Sequence, residues 1–590
     1  MTQRKPTAAL EDAPVFHPLL FAACPLLGLY AYNVHHVAWG ALVRPLVAVL
    51  LTAQALLFLF WIGLRNKHKA GIVTSFCLLA LMWGWTALET VIAFAQLQVQ
   101  AASPSMVYGA LVGLIGVGAV AVYAANRHNR RRALVKTGAF LFAVLAGSLV
   151  VFLFLGRVFG LSASILIVAY ICVIAAVVGW LAGLNRDFRP WTRTANWFAV
   201  ILFGLYAALI LINVPREGKT EPPPLDIALE TPGLSPESLP DIYVLLLDGH
   251  ARCDVLLTLY GYNNLPMLEA LRALGVHVPP GAFANYAWNV QSATALLNMD
   301  YLDSFVPQEA PEGADAGPIV DLYHNNRFFE MLRANGYEII SYSPGVQALE
   351  PRAQVDRCLS PPRTLSEFEV VLLQSTVSNR VMQLVAYLQG REPGAWAQDF
   401  RRARIDYVFN TIGDVAAEVQ DKPRVVFAHL SVPELPFLFE RTGEWADPRI
   451  PRSIEERYLN QLHYTGKMMT RAIEDIQAQS VRPPVIVLAS LHGPAFRGGI
   501  DPAEPTALAE RFGVLLGTYY PGGDADISAN PDPGPSLVNV LRDTLNTVLG
   551  IELPMLEDRA FLTPVDQPLE STPVTVPILD MDAIEDAEGS

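Results

Sequence analysis

Long apolar runs fill the first 214 residues of the chain and constrain its fold more than any other feature. A transmembrane α-helix needs about 20 consecutive, mainly apolar residues. The hydrophobic content of the whole chain, 52%, is too high for an ordinary soluble protein and is concentrated before Pro215. The candidate spans are residues 16–32, 41–64, 71–94, 106–125, 134–156, 162–184 and 197–214. The sequence therefore predicts an α-helical membrane bundle over residues 15–214, with about seven spans in the lipid bilayer.

Basic residues between these runs predict the orientation of the bundle. Lysine and arginine cluster after the second, fourth and sixth spans, whereas the intervening loops carry only Arg44 and Arg157. The clusters are Arg65, Lys67 and Lys69, then Arg127 and Arg130 to Arg132, then Arg186, Arg189 and Arg193. Cytoplasmic loops carry an excess of such charges. The N-terminal tail, residues 1–14, is therefore predicted to be cytoplasmic, and an odd number of spans places everything after residue 214 outside the cell (plasma or inner) membrane.

The second half of the chain has the composition of a globular domain behind a stiff linker. Residues 215–238 are proline-rich and predict an extended spacer. Residues 239–565 alternate strand and helix patterns, with helices predicted at about residues 290–299, 368–388, 454–479 and 537–549. This alternation predicts an α/β domain with a mainly parallel central sheet covered on both faces. Residues 566–590 end in acidic residues and predict a disordered tail. Cys253 and Cys358 lie in this outer part, where a disulfide is chemically permitted. The net charge of −14 argues against nucleic acid as a partner.

The run from residue 242 to 247 ends abruptly at Asp248. An unalternated apolar run of this length is typical of a strand buried on both faces of a parallel sheet. Ligands of such sheets bind beyond the carboxyl ends of the strands. Asp248 is therefore a candidate metal ligand. The alternative is that it caps the next helix or begins a turn.

Several segments of the second half carry a family resemblance when they are taken together and in order. They are "PDIYVLLLDGHAR", "NYAWNVQSATALLNMDYL", "FAHLSVPELPF", "LHGPAF", "ERFGVLLGTYYPG" and "PSLVNVLRDTLN". This set resembles the membrane-anchored sulfatase-like family of the alkaline phosphatase superfamily, related to lipoteichoic acid synthase, over roughly residues 239–563. The resemblance implies an outward-facing sulfatase-type domain. It also implies transfer or hydrolysis of phosphate or sulfate esters by a divalent metal and a threonine, serine or modified cysteine nucleophile.

Only some positions to which the resemblance assigns a catalytic role carry the residue that the family has there. Asp248 matches the first metal ligand, but Asn289 occupies the nucleophile position. The aspartate–histidine pair of the family is Leu491–His492, and the histidine of the proline-rich loop is Glu434. An amide is not a useful nucleophile, and leucine offers a divalent cation no oxygen donor. Asp248 and His492 alone would leave at most two protein ligands.

Other residues could rebuild the site. Ser292 or Thr294 could supply a hydroxyl, but both fall inside the predicted helix, where packing or a bond to the preceding turn is the alternative. Glu434 could replace the lost carboxylate beside His429 and His250. Asn289 itself remains suited to capping the helix.

Two functions follow from these substitutions. Loss of the nucleophile and of a ligand in one site favours a non-catalytic binding or accessory subunit of a membrane assembly, without a cofactor, whose protein partners the sequence does not identify. The alternative is an active sulfatase or phosphotransferase at the outer membrane surface that uses manganese, magnesium, calcium or zinc.

Overall fold

The computed structural model describes residues 13–34, 37, 39–84, 163–213, 231, 235–305, 316–350, 354–389, 391, 394–447, 449–499, 504–522, 534–564 and 567–579. The chain divides into two compact units. The first, here the membrane unit, comprises Met1–Val214 and Phe368–Trp396. The second, here the sheet unit, comprises Pro215–Glu367 and Ala397–Ser590.

The elements are numbered in chain order over the described residues. The α-helices are α1 (His17–Tyr32), α2 (Val43–Leu64), α3 (Lys67–Leu79), α4 (Ala163–Gly183), α5 (Arg189–Asn213), α6 (Cys253–Tyr260), α7 (Leu265–Ala273), α8 (Asn289–Asn298), α9 (Gly317–His324), α10 (Arg327–Ala334), α11 (Glu367–Gln374), α12 (Val377–Leu388), α13 (Ala395–Ala417), α14 (Ile454–Gln479), α15 (Pro505–Phe512) and α16 (Leu537–Leu549). The strands are β1 (Asp241–Asp248), β2 (Glu338–Tyr342), β3 (Arg357–Leu359), β4 (Arg424–Pro433), β5 (Pro484–Ser490), β6 (Leu516–Tyr519), β7 (Ala560–Leu562) and β8 (Thr572–Val574).

The helices of the membrane unit turn apolar side chains outward. Helices α2 and α5 are long and apolar enough to cross a bilayer. Leu51, Trp61 and Leu211 on them are 66%, 51% and 70% exposed. Such a surface is stable in lipid rather than in water, because it would otherwise be a large exposed apolar patch. The predicted membrane location therefore holds, while the predicted spans 106–125 and 134–156 lie outside the described residues.

The sheet unit is built on a six-stranded sheet in the order β3-β2-β4-β1-β5-β6. Neighbouring strands run parallel except for β6, which is antiparallel to β5. Every residue of β1 is buried. Its alternate side chains join two hydrophobic clusters on opposite faces, Val244 and Leu246 in one and Tyr243 and Leu245 in the other. The predicted mainly parallel sheet with helices on both faces is confirmed.

Two parts of the chain differ from their sequence-based prediction. Residues 567–579 are not a free tail, because β8 pairs with β7 and the backbone N–H of Leu579 donates to Asp254 at 2.9 Å. Composition cannot show such backbone pairing; the acidic end from 580 onward lies outside the described residues. The helix predicted over 368–388 is two helices, α11 and α12, and they belong to the membrane unit. Cys253 and Cys358 lie in α6 and β3, and no disulfide joins them.

Candidate functional site

The candidate site lies where the carboxyl ends of β1, β4 and β5 meet. Asp248 ends β1 and is fully buried. His429 on β4 places its Nε2 2.9 Å from Asp248 Oδ1. The pairing of β1 with β4 shifts after Leu247, so that Asp248 lies opposite Pro433. Glu434 follows directly, and its backbone N–H donates to the carbonyl of Asp248 at 3.0 Å. The shift in register therefore brings a second carboxylate to the end of β1.

Gly249 allows this close approach. Its φ is +91°, and a Cβ atom there would lie 3.2 Å from the backbone nitrogen of Glu434 and 3.3 Å from its Cα. Its own N–H donates to the carbonyl of His492 at 2.9 Å. Gly249 thus joins the residues that follow β4 and β5, and only glycine combines this φ with this spacing.

Replacing Gly249 with alanine is therefore expected to lower the free energy of unfolding by at least about 2 kcal/mol, through an unfavourable φ and a steric clash. The control is Gly261→Ala, because Gly261 has a φ of +60° but open space around its Cα. That change is expected to cost about 1 kcal/mol for the φ alone. Urea midpoints of the full chain in detergent measure both, and equal midpoints would contradict the close approach.

His492 completes a set of three potential ligands. Its Nε2 is 3.8 Å from Asp248 Oδ1 and 3.8 Å from Glu434 Oε1. One ligand atom from each of these three residues lies within 4.8 Å of the other two. The Nε2 of His492 has no hydrogen-bond partner among the described residues. Two carboxylates and an imidazole fit one divalent cation with an open coordination position, so the set is larger than the two donors counted from the sequence.

The other two histidines occupy different places. His429 contacts Asp248, and its Nδ1 is buried without a partner among the described residues. The ring of His250 lies 3.0 Å from the carbonyl of Ala251 through Nδ1, and burial lowers the pKa of His250 to about 4. His250 does not belong to the group of three ligands. The structure therefore places His429, but not His250, in direct contact with the acidic centre.

Asn289 faces the same carboxylate from the start of α8. Its Nδ2 donates to Asp248 Oδ2 at 3.3 Å, and its Oδ1 accepts from the N–H of Val290 at 2.8 Å. Trp288, not Asn289, is the N-cap residue. The expectation that Asn289 caps the helix is wrong for this reason: the amide is the first helical residue and is turned toward Asp248.

The two hydroxyls considered as substitutes point elsewhere. Ser292 donates to the carbonyl of Tyr286 at 2.8 Å, and Thr294 donates to that of Val290 at 2.7 Å. Both side chains are buried. Each hydroxyl therefore satisfies backbone carbonyls at the start of α8, and neither contacts Asp248.

Leu491 belongs to the hydrophobic core. Its side chain is fully buried in the cluster that contains Ala489, Val514 and Leu516. Its backbone N–H donates to Leu247 at 2.8 Å. Leucine thus extends the apolar face of β5 at a position where the resemblance implies a ligand.

Sequence reasoning missed Arg511, on α15. This side chain is only 4% exposed. Its Nη1 donates to the carbonyl of Gly493 at 2.7 Å and lies 2.9 Å from His492 Nδ1, and its Nε donates to the carbonyl of Ala287 at 2.7 Å. Burial lowers the pKa of Arg511 to about 10, which leaves it a cation at neutral pH. The only sequence signal was a charged pair, Glu510 and Arg511, directly before the apolar segment "FGVLLG".

Neighbouring charges and burial shift the pKa values of the site residues. Burial and the charge of Asp248 raise the pKa of Glu434 to about 7, while Arg511 opposes them. Burial and the Arg511 charge lower the pKa of His492 to about 3, so His492 is neutral at physiological pH. Burial would raise the pKa of Asp248, but His429, His492 and Asn289 outweigh it and hold that pKa below its ordinary value. An ionised Asp248 and a half-buried Glu434 therefore share one buried arginine.

Known proteins have only low sequence identity to this chain. No family model matches the chain, and no curated protein matches it significantly. The periplasmic domain of EptC from Escherichia coli is 13% identical over 58% of this chain and 95% of that domain, with a TM-score of 0.36. The integral membrane lipooligosaccharide phosphoethanolamine transferase A from Neisseria meningitidis is 13% identical over 90% of this chain and 95% of its own, with a TM-score of 0.36.

A 2-O GAG sulfatase, BT1596, is 12% identical over 54% of this chain and 72% of its own, with a TM-score of 0.33. The matched structures are phosphoethanolamine transferases and sulfatases.

Proposed function

We propose that the sheet unit is a non-catalytic sulfatase-like module that acts as a binding or accessory part of a membrane assembly. One observation carries this proposal: the side chain that faces Asp248 from the start of α8 is the amide of Asn289. Covalent phosphoryl or sulfuryl transfer needs an activated hydroxyl, thiol or aldehyde hydrate. Ser292 and Thr294 do not supply one, because their hydroxyls are bonded to backbone carbonyls.

Arg511 supports the same conclusion. A guanidinium beside two carboxylates and His492 provides positive charge that is built into the fold. A buried arginine that donates to the carbonyls of Ala287 and Gly493 and contacts His492 links the start of α8 to the end of β5 without any ligand. A structural role therefore explains the charged residues of the site without catalysis.

The proposal places the sheet unit on the extracytoplasmic side of a seven-span bundle with a cytoplasmic N-terminus. The basic clusters after the second, fourth and sixth predicted spans support this orientation. Within it, residues 215–238 serve as a linker, and the partners are other membrane proteins as well as the bilayer.

The group of three ligands favours a second candidate, a metal-dependent enzyme. Asp248, Glu434 and His492 would hold the divalent ion, which would supply positive charge to an ester oxygen. In that case the protein's own contribution is to hold the three donors on the ends of β1, β4 and β5. His429 would orient Asp248 through its 2.9 Å contact.

An ester hydrolysis assay separates the two candidates. We expect the purified full chain in detergent to turn over neither aryl phosphate nor aryl sulfate esters with manganese, magnesium, calcium or zinc. The variant Asn289→Ala should behave identically, because the amide does no chemistry. Metal-dependent turnover that falls in His492→Ala, but not in the control His463→Ala outside the site, would establish the enzyme instead.

The accessory role has its own test. After gentle solubilisation the chain is expected to migrate with other membrane proteins in native gels. A monodisperse monomer that never co-purifies with another protein would contradict that role while leaving the assay result intact.

A further inference from the structure

Helices α11 and α12 interrupt the sheet unit in sequence but pack within the membrane unit. Phe368 and Leu372 on α11 are 4% and 6% exposed and form one apolar cluster with Leu26 and Tyr30 of α1. Glu369, between them, is buried and forms an ion pair with Arg44 at the start of α2. Helix α11 is therefore fixed to the membrane helices by both apolar and charged contacts.

These contacts gather at one end of the bundle. They involve the second half of α1, the beginning of α2 and, through Ile210, the last turn of α5. The basic residues Arg65 and Lys67 lie at the opposite end of α2. Under the orientation proposed above, α11 lies at the extracytoplasmic end.

Helix α12 presents an apolar stripe to the outside. Val381, Val385 and Leu388 are 42%, 46% and 75% exposed. Their spacing of four and three residues places them on one face of the helix. No charged residue interrupts this stripe.

The polar residues of α12 lie on its other side and are bonded within the protein. Gln383 donates to Asn379 Oδ1 at 3.3 Å and accepts from Arg380 at 2.7 Å. Trp396 also donates to Asn379 Oδ1, at 3.3 Å. Helix α12 thus leaves apolar side chains exposed, while Asn379, Arg380 and Gln383 bond to one another or to Trp396.

We propose that the face formed by Val381, Val385 and Leu388 contacts the acyl chains of the outer leaflet, so that α12 forms part of the lipid-facing surface of the membrane unit. Helix α12 packs against α4 and against Ala80–Gly84, which places it beside apolar helices of the bundle. The stripe therefore continues the outward-facing apolar surface of the membrane unit, and lipid is the occupant that this surface already has.

The chain passes between the units after Val214, after Glu367 and after Trp396. Residues 368–396 therefore belong to the membrane unit although the sheet unit precedes and follows them in sequence. The inference rests on the proposed orientation for the choice of leaflet only.

Lipid quenching of single fluorescent labels tests whether this face of α12 contacts lipid. The full chain, with its five cysteines replaced by alanine, receives one cysteine at position 381, 385 or 388, labelled with NBD and reconstituted in phosphatidylcholine vesicles. We expect doxyl-labelled lipids to quench these labels several-fold more strongly than aqueous iodide does. The matched control is Val419→Cys, since Val419 is apolar and 84% exposed but lies in the sheet unit. Its label should be quenched by iodide.

Two results would overturn the proposal. Labels on α12 that iodide quenches as it quenches the label at 419 would show a water-facing stripe. Labels protected from both quenchers would show that protein, from this chain or a second copy, covers it. The quenching measurement does not depend on ester hydrolysis. It therefore tests the lipid contact of α12 separately from the proposed non-catalytic role.

Discussion

Replacing Asp241 with alanine is expected to lower the free energy of unfolding of the sheet unit by about 3–5 kcal/mol, the usual cost of breaking a buried ion pair. Asp241 begins β1 and is fully buried. Its Oδ1 and Oδ2 accept from the backbone N–H and the Nε of Arg424 on β4, both at 3.0 Å. Alanine would leave a guanidinium that is 1% exposed, bonded to the carbonyls of Val415 and Glu418 and with the nearest carboxylate, that of Glu418, at 3.8 Å instead of 3.0 Å.

The urea midpoint of the full chain in detergent, followed by pulse proteolysis, measures this loss. Burial raises the pKa of Asp241, and the hydrogen bonds and charge of Arg424 oppose that rise. The control is Arg471→Ala, which removes an exposed helical ion pair with Asp475 and should cost less than about 1 kcal/mol. Midpoints that fall equally in both variants would show that burial does not amplify the loss.

The strands and the longest helices of the sheet unit could be predicted because their signals are local. The apolar run that forms β1, and the helical patterns over 454–479 and 537–549, each contain the information that defines the element. Asp248 could be placed at the site for the same reason. It follows a buried strand directly, and parallel strands bring their carboxyl ends to one edge.

The position of Glu434 could not be predicted in this way. Its approach to Asp248 depends on the register shift between β1 and β4 and on Gly249, which are properties of paired strands rather than of either sequence. Arg511 reaches His492 from a separate helix, and no periodic pattern relates the two. Helix α12 was predicted as a helix, but its partner was not, because an amphipathic pattern is the same whether the apolar face meets a core or lipid.

Replacing Arg511 with glutamine is expected to cost about 3–5 kcal/mol of stability, as expected for removing one charge of a buried network. The change removes the donors to the carbonyls of Ala287 and Gly493, the contact with His492 and the positive charge that Arg511 places beside Asp248 and Glu434. The control is Arg497→Gln, because the exposed side chain of Arg497 donates to the carbonyl of Leu259 and lies over the ring of Tyr260.

Metal ions provide the second readout of this substitution. Without the guanidinium, a divalent cation held by Asp248, Glu434 and His492 would offset the two carboxylates, and binding to the native state raises stability by mass action. We therefore expect millimolar zinc or manganese to raise the melting temperature of Arg511→Gln by several degrees more than that of the wild type or of Arg497→Gln. If the metal raised the melting temperature of the wild type as much as that of the variant, Arg511 and the cation would not compete. In that case Arg511 is compatible with a bound metal ion. That result would favour the metal-dependent enzyme over the non-catalytic module.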